Sequence, residues 1–439
     1  MKDIRNKFLI ITGIVLGVLA VVAGIRAVSN RAPRPETARQ KPIAVTPRPT
    51  ASDRQIRAAQ LEIERAPANS NGYNLLCAAY LKKARETGDF GFNAKAEAAL
   101  NRSFEVAAPE GNYEAIKLKA ALLLTYHRFG EALEVARRAQ AVQPQDHDNY
   151  GAITDALVEL GDYQGAFEAA QTMMDLRPGT PSYSRVSYLR GLQGDTEGAI
   201  EAMRAAAEAT ADPETAAWCR VHVGDELMNT GRLAAAEHEF DVALQHFPGY
   251  HLALAGKARA RLAFGHTDAA IEFYQRAQER VPLPETAIAL GDLYTKLGRA
   301  DEAKKQYDLV EFIERAGAAA GTYSRQLALF YADHDVKLDE ALAIARRERA
   351  TRSDIYTCDA LAWTLYKKGD LAGAKRAIDE ALRLGTRDAR IHYHAGMIEQ
   401  ALGNRRNAAK RLHLALKINP SFDILQAEVA RQTLRAIAA

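Results

Sequence analysis

Apolar residues recur at helical spacing along most of the chain. In one representative stretch, Ile153 and Leu157 fall on one face of a first helix, and Ala166 and Ala170 line a second. Gly161 lies between the two, and glycine readily adopts the left-handed conformation that ends a helix. The pattern predicts a pair of helices joined by a tight turn.

The same arrangement returns down the chain as a turn glycine, one polar residue and an alanine five positions after the glycine. A period near 34 residues predicts a solenoid of stacked helix pairs rather than separate globular domains. The alanine lies where the two helices approach most closely, so we expect it to be buried in every copy. Nine alanines keep this register at spacings of 33 to 38 residues: Ala132, Ala166, Ala199, Ala236, Ala270, Ala303, Ala341, Ala374 and Ala408.

The pattern resembles the tetratricopeptide repeat over about residues 70–420, in some ten units. The resemblance implies an all-α fold, a right-handed superhelical α-solenoid in which the first helix of each unit lines a concave groove. It also implies a protein-binding scaffold rather than an enzyme. We expect the solenoid to occupy residues 53–420 and a capping helix to cover its last apolar face at residues 421–439.

An uncharged run, FLIITGIVLGVLAVVAGI, follows a basic tail at residues 1–7. Its length is at the lower bound for a membrane-spanning helix, so we predict a span at residues 8–28. A proline-rich stretch predicts an extended linker at residues 29–52. The alternative is a signal cleaved after Ser29, which would release a soluble extracytoplasmic binding protein for a peptide, a glycan or a small molecule.

Basic residues flank the predicted span on both sides, so the positive-inside rule leaves its orientation contested. A short tail with a single span favours export, which would place the repeats in the periplasm rather than the cytoplasm. Small residues on one face of the span would allow two spans to pack as a homodimer. They are Gly13, Gly17, Ala20 and Gly24.

The charge distribution narrows the range of partners. Residues 1–55 carry ten Lys/Arg against three Asp/Glu, while the rest carries 48 against 52. A mildly acidic repeat region argues against a nucleic-acid partner. The three cysteines are far apart, which predicts small apolar helix residues rather than disulfides or a metal site. The sequence also has no nucleotide loop and no Ser-His-Asp order, so we predict no catalytic residue and no cofactor.

The predicted function therefore lies in the groove, where the resemblance assigns candidate contacts for a protein or peptide whose identity the sequence does not give. The middle zone alternates in charge: Lys117, Asp155, Arg185, Tyr188, Asp225, Arg259 and Asp292. The C-terminal zone carries aromatic side chains and an arginine, which often dominate interfaces: Tyr323, Phe330, Tyr356, Trp363, Tyr366, Arg390 and Tyr393. For Phe330 and Trp363, packing between helices is an equal alternative.

Overall fold

The computed structural model describes residues 50–319 and 325–438, and within these ranges the protein is all-α, with twenty-two α-helices, one short 3-10 helix at Pro109–Gly111 and no strand. Twenty of the helices form ten hairpins, here called repeats 1 to 10, each with a helix A followed by a helix B. The predicted all-α solenoid is thereby confirmed. Helices A and B of each repeat have the following bounds: repeat 1, Ser70–Thr87 and Gly91–Val106; repeat 2, Tyr113–Thr125 and Phe129–Val142; repeat 3, His147–Leu160 and Tyr163–Leu176; repeat 4, Thr180–Leu192 and Thr196–Glu208; repeat 5, Pro213–Asn229 and Leu233–His246; repeat 6, His251–Ala263 and Thr267–Arg280; repeat 7, Pro284–Lys296 and Ala300–Ala319; repeat 8, Arg325–Asp333 and Leu338–Thr351; repeat 9, Ile355–Lys367 and Leu371–Ala381; repeat 10, Ala389–Ala401 and Arg405–Ile418.

Several sequence predictions lie outside the described residues. These are the basic tail, the span at residues 8–28 with its four small residues, nearly all of the linker, and Tyr323. In the two described ranges, no helix is both long enough and apolar enough to span a bilayer.

The register alanines lie where helix B meets helix A. All nine are buried, and none is more than 4% exposed. Glycines on helix A provide the opposing space: an added Cβ would lie 2.4 Å from the Phe240 ring at Gly224 and 2.3 Å from the Tyr307 ring at Gly291. The repeated small residues therefore permit the close approach of the paired helices, as the sequence predicts.

The turn motif works through two residues with different roles. Gly161 ends helix A of repeat 3 with a φ of 81°, in the left-handed region that glycine adopts without strain. Asp162 then begins helix B, and its carboxylate accepts a hydrogen bond of 3.0 Å from the backbone N–H of Gly165. Asp195 and Asp370 cap helix B of repeats 4 and 9 in the same way. The Gly-Asp pair thus stops one helix and caps the next.

The superhelix winds tightly enough for its second turn to lie on its first. The backbone N–H of Ser353 donates to the Glu159 carbonyl at 2.8 Å. The backbone N–H of Ile355 donates to the Tyr163 hydroxyl at 2.9 Å. Arg352 adds a hydrogen bond of 3.3 Å to the Glu159 carboxylate. These bonds join repeat 3 directly to the boundary between repeats 8 and 9.

One apolar core is shared between the two turns. It contains buried residues of repeats 2 to 4 together with buried residues of repeats 9 and 10, among them Leu157, Tyr163, Ile355 and Ile378. In a linear repeat array each unit contacts only its neighbours. Here the open groove expected from the resemblance becomes a half-open space between two packed turns, which we call the lumen. Helix A of repeats 3 to 5 borders the lumen on one side, and helix A of repeats 8 to 10 borders it on the other.

A single helix covers each end of the array. Before repeat 1, Ala51–Arg65 begins with a capping box in which Thr50 and Asp53 exchange hydrogen bonds. After repeat 10, the helix Gln426–Ala438 lies within residues 421–439, where we expected a capping helix. Its apolar side chains pack on the core of repeats 8 to 10: Val429, Leu434 and Ile437.

Candidate partner-binding lumen

A first cavity of about 280 Å³ lies where repeats 3 and 4 meet, with Asp155, Glu159, Arg185 and Tyr188 in its wall. Arg185 binds Asp155 in a bidentate pair, with donor–acceptor distances of 2.8 and 2.6 Å. The same guanidinium donates to the Gly151 carbonyl at 3.1 Å. The structure therefore brings three residues of the predicted middle zone into one cavity, with the two charges already paired.

Three further middle-zone charges, Lys117, Asp225 and Arg259, are paired between neighbouring repeats. The Lys117 ammonium lies 2.8 Å from Asp146 and 3.3 Å from Asp148. Arg259 pairs with Asp225 of the preceding repeat. This ladder of pairs connects successive repeats, and a partner would have to compete with it.

Asp292 has a different environment from the rest of the middle zone. It is 6% exposed, accepts a hydrogen bond from the Tyr307 hydroxyl at 2.9 Å and lies 2.8 Å from His334 Nε2. These contacts join repeat 7 to repeat 8. Asp292 is therefore placed as an internal hydrogen-bonding group and not on the wall of either cavity.

Most of the C-terminal aromatic zone is core. Trp363 and Tyr393 are each 1% exposed, and the Trp363 indole N–H donates to Asp333 at 2.8 Å. Tyr366 stacks on Trp363 with ring centroids 4.8 Å apart. Phe330, 4% exposed, packs against the rings of repeats 7 and 8. Phe330 and Trp363 therefore pack between helices, which was the alternative to groove contact. Tyr393, which we predicted as a groove contact, is also buried in the core.

A second cavity of about 330 Å³ lies between the two turns. Asn229 of repeat 5 borders it on one side, and Arg325, Tyr356, Asp388 and Arg390 of repeats 8 to 10 border it on the other. The Arg325 guanidinium lies 5.5 Å from the centre of the Tyr356 ring and 3.1 Å from Asp354. Of these residues, the sequence predicted Tyr356 and Arg390. It missed Arg325, because repeat 8 has no turn glycine to fix its register.

The two predicted zones meet across the lumen. The Tyr188 ring is 45% exposed, yet desolvation raises the pKa of its hydroxyl, with further influence from Glu159 and Arg325. Desolvation likewise raises the pKa of Tyr356 well above its usual value, and Asp388 and Tyr188 add to that effect. Tyr188 and Tyr356 line different cavities, yet their hydroxyls lie near enough to interact electrostatically, although 168 residues separate them in the sequence.

Two carboxylates near the second cavity have a raised pKa. Desolvation, Asp225 and Asp388 together raise the pKa of Glu226 to about 7. Desolvation also raises the pKa of Asp388, whose carboxylate caps helix A of repeat 10 through the backbone N–H of Arg390 at 2.8 Å. The Arg390 guanidinium is already paired with Asp423 at 3.1 Å. An additional positive charge in the lumen would favour the ionised forms of Glu226 and Asp388.

The described residues also contain a compact group of potential metal ligands, Asp146, His147 and Asp148, whose ligand atoms lie within 4.8 Å of one another. The Lys117 ammonium already contacts both carboxylates of this group. The group therefore belongs to the charge ladder. The three cysteines are buried and free, and burial raises the pKa of Cys77 to about 12, which keeps its thiol protonated.

Some of the repeats match models of a known protein family. Two family models described as tetratricopeptide repeat match residues 224–283 and 284–310. These matches support the tetratricopeptide repeat family. The matched residues run from helix A of repeat 5 into helix B of repeat 7, and the other repeats keep the same hairpin geometry. No curated protein sequence matches the chain.

The solved structures that match this chain share little sequence with it. The Cut9–Hcn1 heterotetramer of APC/C is 16% identical, with a TM-score of 0.40, and the match covers 88% of this chain and 67% of that one. Yeast Tom70 is 13% identical, with a TM-score of 0.39 and coverage of 88% and 93%. PilW, a type IV pilus biogenesis factor, is 15% identical, with a TM-score of 0.39 and coverage of 44% and 90%.

Proposed function

We propose that this protein is a non-catalytic scaffold that binds a segment of a protein partner in its lumen. The observation that carries the proposal is the second cavity, where groups from repeat 5 and repeats 8 to 10 converge around Tyr356. Tyrosine and arginine side chains in a concave, partly desolvated site are typical of interface hot spots. Tetratricopeptide repeats generally bind protein partners, which agrees with this use of the lumen.

The chemistry of the lumen favours an extended segment that carries basic side chains. Among the described residues, neither Glu226 nor Asp388 has a cation within ion-pair distance, although Arg390 attracts Asp388 from further away. Arg325 and Arg390 are themselves paired with Asp354 and Asp423. A lysine or arginine of the partner would supply the missing charge, and the rings of Tyr188 and Tyr356 would contact its aliphatic stem.

Tethering to a membrane is the second part of the proposal. It rests on the apolar run at residues 8–25 and on the proline-rich stretch after it. An anchor would concentrate the scaffold at the bilayer, and the linker would hold the repeats away from the lipid. The full chain should stay with the membrane pellet after alkaline extraction, and deletion of residues 8–28 should release it. Retention of the deletion variant would contradict the tether.

Site-specific photo-crosslinking tests lumen binding. A photoreactive phenylalanine is introduced at Tyr188 or Tyr356 of the full chain in its native membrane. The matched control is Phe312, which is 47% exposed on helix B of repeat 7. We expect both lumen positions to capture the same protein and the control position not to capture it. Capture of that protein from Phe312 as well, or from neither lumen position, would overturn the proposal.

A substitution adds a quantitative measurement. Tyr188→Ala should lower recovery of the captured partner by at least about tenfold, because exposed tyrosines at interface centres are frequent hot spots. Phe312→Ala removes a side chain of similar exposure and should leave recovery unchanged. Equal recovery with both variants would show that the partner does not use the lumen.

A further inference from the structure

The contact between the two superhelical turns has two distinct surfaces. One is the turn edge, formed by the A-to-B turns of the repeats, and the other is the linker edge, formed by the B-to-A connections. Turn glycines of the first turn lie against connections of the second: an added Cβ at Gly161 would lie 2.7 Å from the Ser353 carbonyl, and one at Gly194 would lie 2.9 Å from the Gly385 carbonyl. The turn edge of the early repeats therefore fits the linker edge of the late repeats closely.

The turn edge of the late repeats has the same geometry and no cover. For repeats 6, 7, 9 and 10, and also for repeat 5 at Gly231, an added Cβ on the turn glycine would meet no other part of the described chain within 4 Å. These glycines have φ between 72° and 84°, close to the 81° of Gly161. They are Gly231, Gly265, Gly298, Gly369 and Gly403. The surface that joins the first turn to the second is thus present again, unoccupied, at the far side of the second turn.

Apolar side chains mark the uncovered turn edge. Large apolar residues at the ends of helix A are between 37% and 46% exposed in repeats 6, 7, 8 and 10. They are Phe264, Leu297, Val336 and Leu402. Apolar residues are not confined to the uncovered turns: the covered repeat 3 carries Leu160 directly before its turn glycine, and Phe90 in the turn of the covered repeat 1 is 64% exposed. Exposed apolar residues in a row at one edge indicate an interaction surface.

The linker edge of the early repeats is the complementary open surface. Val142, at the end of helix B of repeat 2, is 60% exposed, and Pro144 and Pro178 in the next connections are also exposed. In repeat 6 the equivalent connection holds Val281, which is buried with Gly88 of repeat 1 against it. Each molecule therefore has one open edge of each kind, at opposite sides of the superhelix.

We infer that the uncovered turn edge of repeats 6 to 10 binds the open linker edge of repeats 1 to 3 in a second copy of this chain. The contact would continue between molecules the interface that already joins the two turns within one molecule. The two partners use different surfaces, so the interface is heterologous and each copy added leaves a new open edge. The occupant is a second copy because the first turn of this same chain already fits such an edge. This inference is independent of what the lumen binds.

Sedimentation velocity of the full chain in detergent micelles tests the inference. The wild-type mass should rise with concentration from about 1 to 100 µM, as for an interface of modest affinity. The turn-edge variant Leu297→Lys/Leu402→Lys and the linker-edge variant Val142→Lys should each weaken association at least about tenfold, because each places a charge in an apolar contact. Lysine near a helix C-terminus favours the helix, so these variants should fold. Phe312→Lys, exposed on helix B, is the matched control and should associate like wild type.

Mixing the variants tests the heterologous geometry. The turn-edge variant keeps an intact linker edge, and the linker-edge variant keeps an intact turn edge. A 1:1 mixture should therefore form dimers and nothing larger. Three results would overturn the inference: a monomeric wild type up to about 100 µM, association of the edge variants equal to that of Phe312→Lys, or a mixture that stays monomeric. Association that survives in both edge variants would assign the contact to another surface, such as the predicted span.

Discussion

Single small side chains determine how closely the helices of each repeat approach. Ala236 is fully buried and lies in a core with Phe240, while Ala235 beside it on the same helix is exposed. The sequence predicted this burial at all nine register positions, because steric limits at a helix contact act locally and leave a periodic signal. The roles of the large residues were harder to predict. Trp363 and Tyr393 occupy positions in the repeat that are compatible with facing either a core or a groove, so the sequence alone did not decide between the two.

Substitution at adjacent positions tests the steric role of the register alanines. Ala236→Leu should lower the free energy of unfolding by about 1–3 kcal/mol, because three added carbons must fit between packed helices. Ala235→Leu adds the same carbons on the exposed side and should change it by no more than about 0.5 kcal/mol. Urea denaturation followed by circular dichroism measures both. Equal effects of the two variants would contradict the account.

Glu226 should make stability depend on pH near neutrality. Burial, Asp225 and Asp388 raise the pKa of Glu226 to about 7, so the folded state holds its proton more tightly than the unfolded state does. Its stabilising effect is complete below the unfolded pKa near 4.5 and is lost as pH rises through 7. Glu226→Gln should therefore be about 1–3 kcal/mol more stable than wild type at pH 8 and about equal to it at pH 5.

Chemical denaturation at the two pH values measures this difference. The exposed Glu201 on helix B of repeat 4 provides the control. Glu201→Gln should shift stability equally at pH 5 and pH 8. If Glu226→Gln shows no greater gain at pH 8 than at pH 5, the lumen does not impose the proposed desolvation.

At the scale of the element, one motif serves two purposes. Every A-to-B turn needs a glycine or a tight equivalent to reverse the chain, and the sequence signal reports that requirement alone. Gly161 also lies against repeat 9, whereas Gly265 faces open space in the described chain. The sequence does not distinguish the two glycines, because each is followed by a polar residue. Their backbone conformations are also alike, with φ of 81° and 83°. Which turns form contacts is decided by the winding of the whole array.

The two glycines form a matched pair for measurement. Gly265→Ala should cost about 1–2 kcal/mol of stability, the ordinary price of a left-handed non-glycine residue. Gly161→Ala should cost about 1–3 kcal/mol more, because its Cβ would lie 2.7 Å from the Ser353 carbonyl and force the two turns apart. Thermal and urea denaturation of both variants measure the difference. Equal losses would show that the turns do not touch in solution.

At the scale of the whole molecule, the winding of the superhelix was beyond the sequence. The period predicted stacked hairpins, but pitch depends on the sum of small rotations between successive repeats. The resemblance therefore implied an open groove with a charged zone and an aromatic zone along its length. In the structure, Tyr188 and Tyr356 from these zones share one lumen, and Arg325 joins them from a repeat without a turn glycine. The contact residues of repeats 3 and 9 carry no local sequence pattern that could have revealed their pairing.

The central claim is that the second superhelical turn lies on the first and narrows the groove into the lumen. Amide hydrogen exchange at Ser353 and Ile355 tests it most directly, because both N–H groups donate to residues of repeat 3, at 2.8 and 2.9 Å. We predict exchange at least about 100-fold slower than in a free peptide at both positions. Tyr163→Phe, which removes the acceptor of Ile355, should accelerate Ile355 alone. Exchange of both amides at the free-peptide rate, while the flanking helices stay protected, would contradict the account.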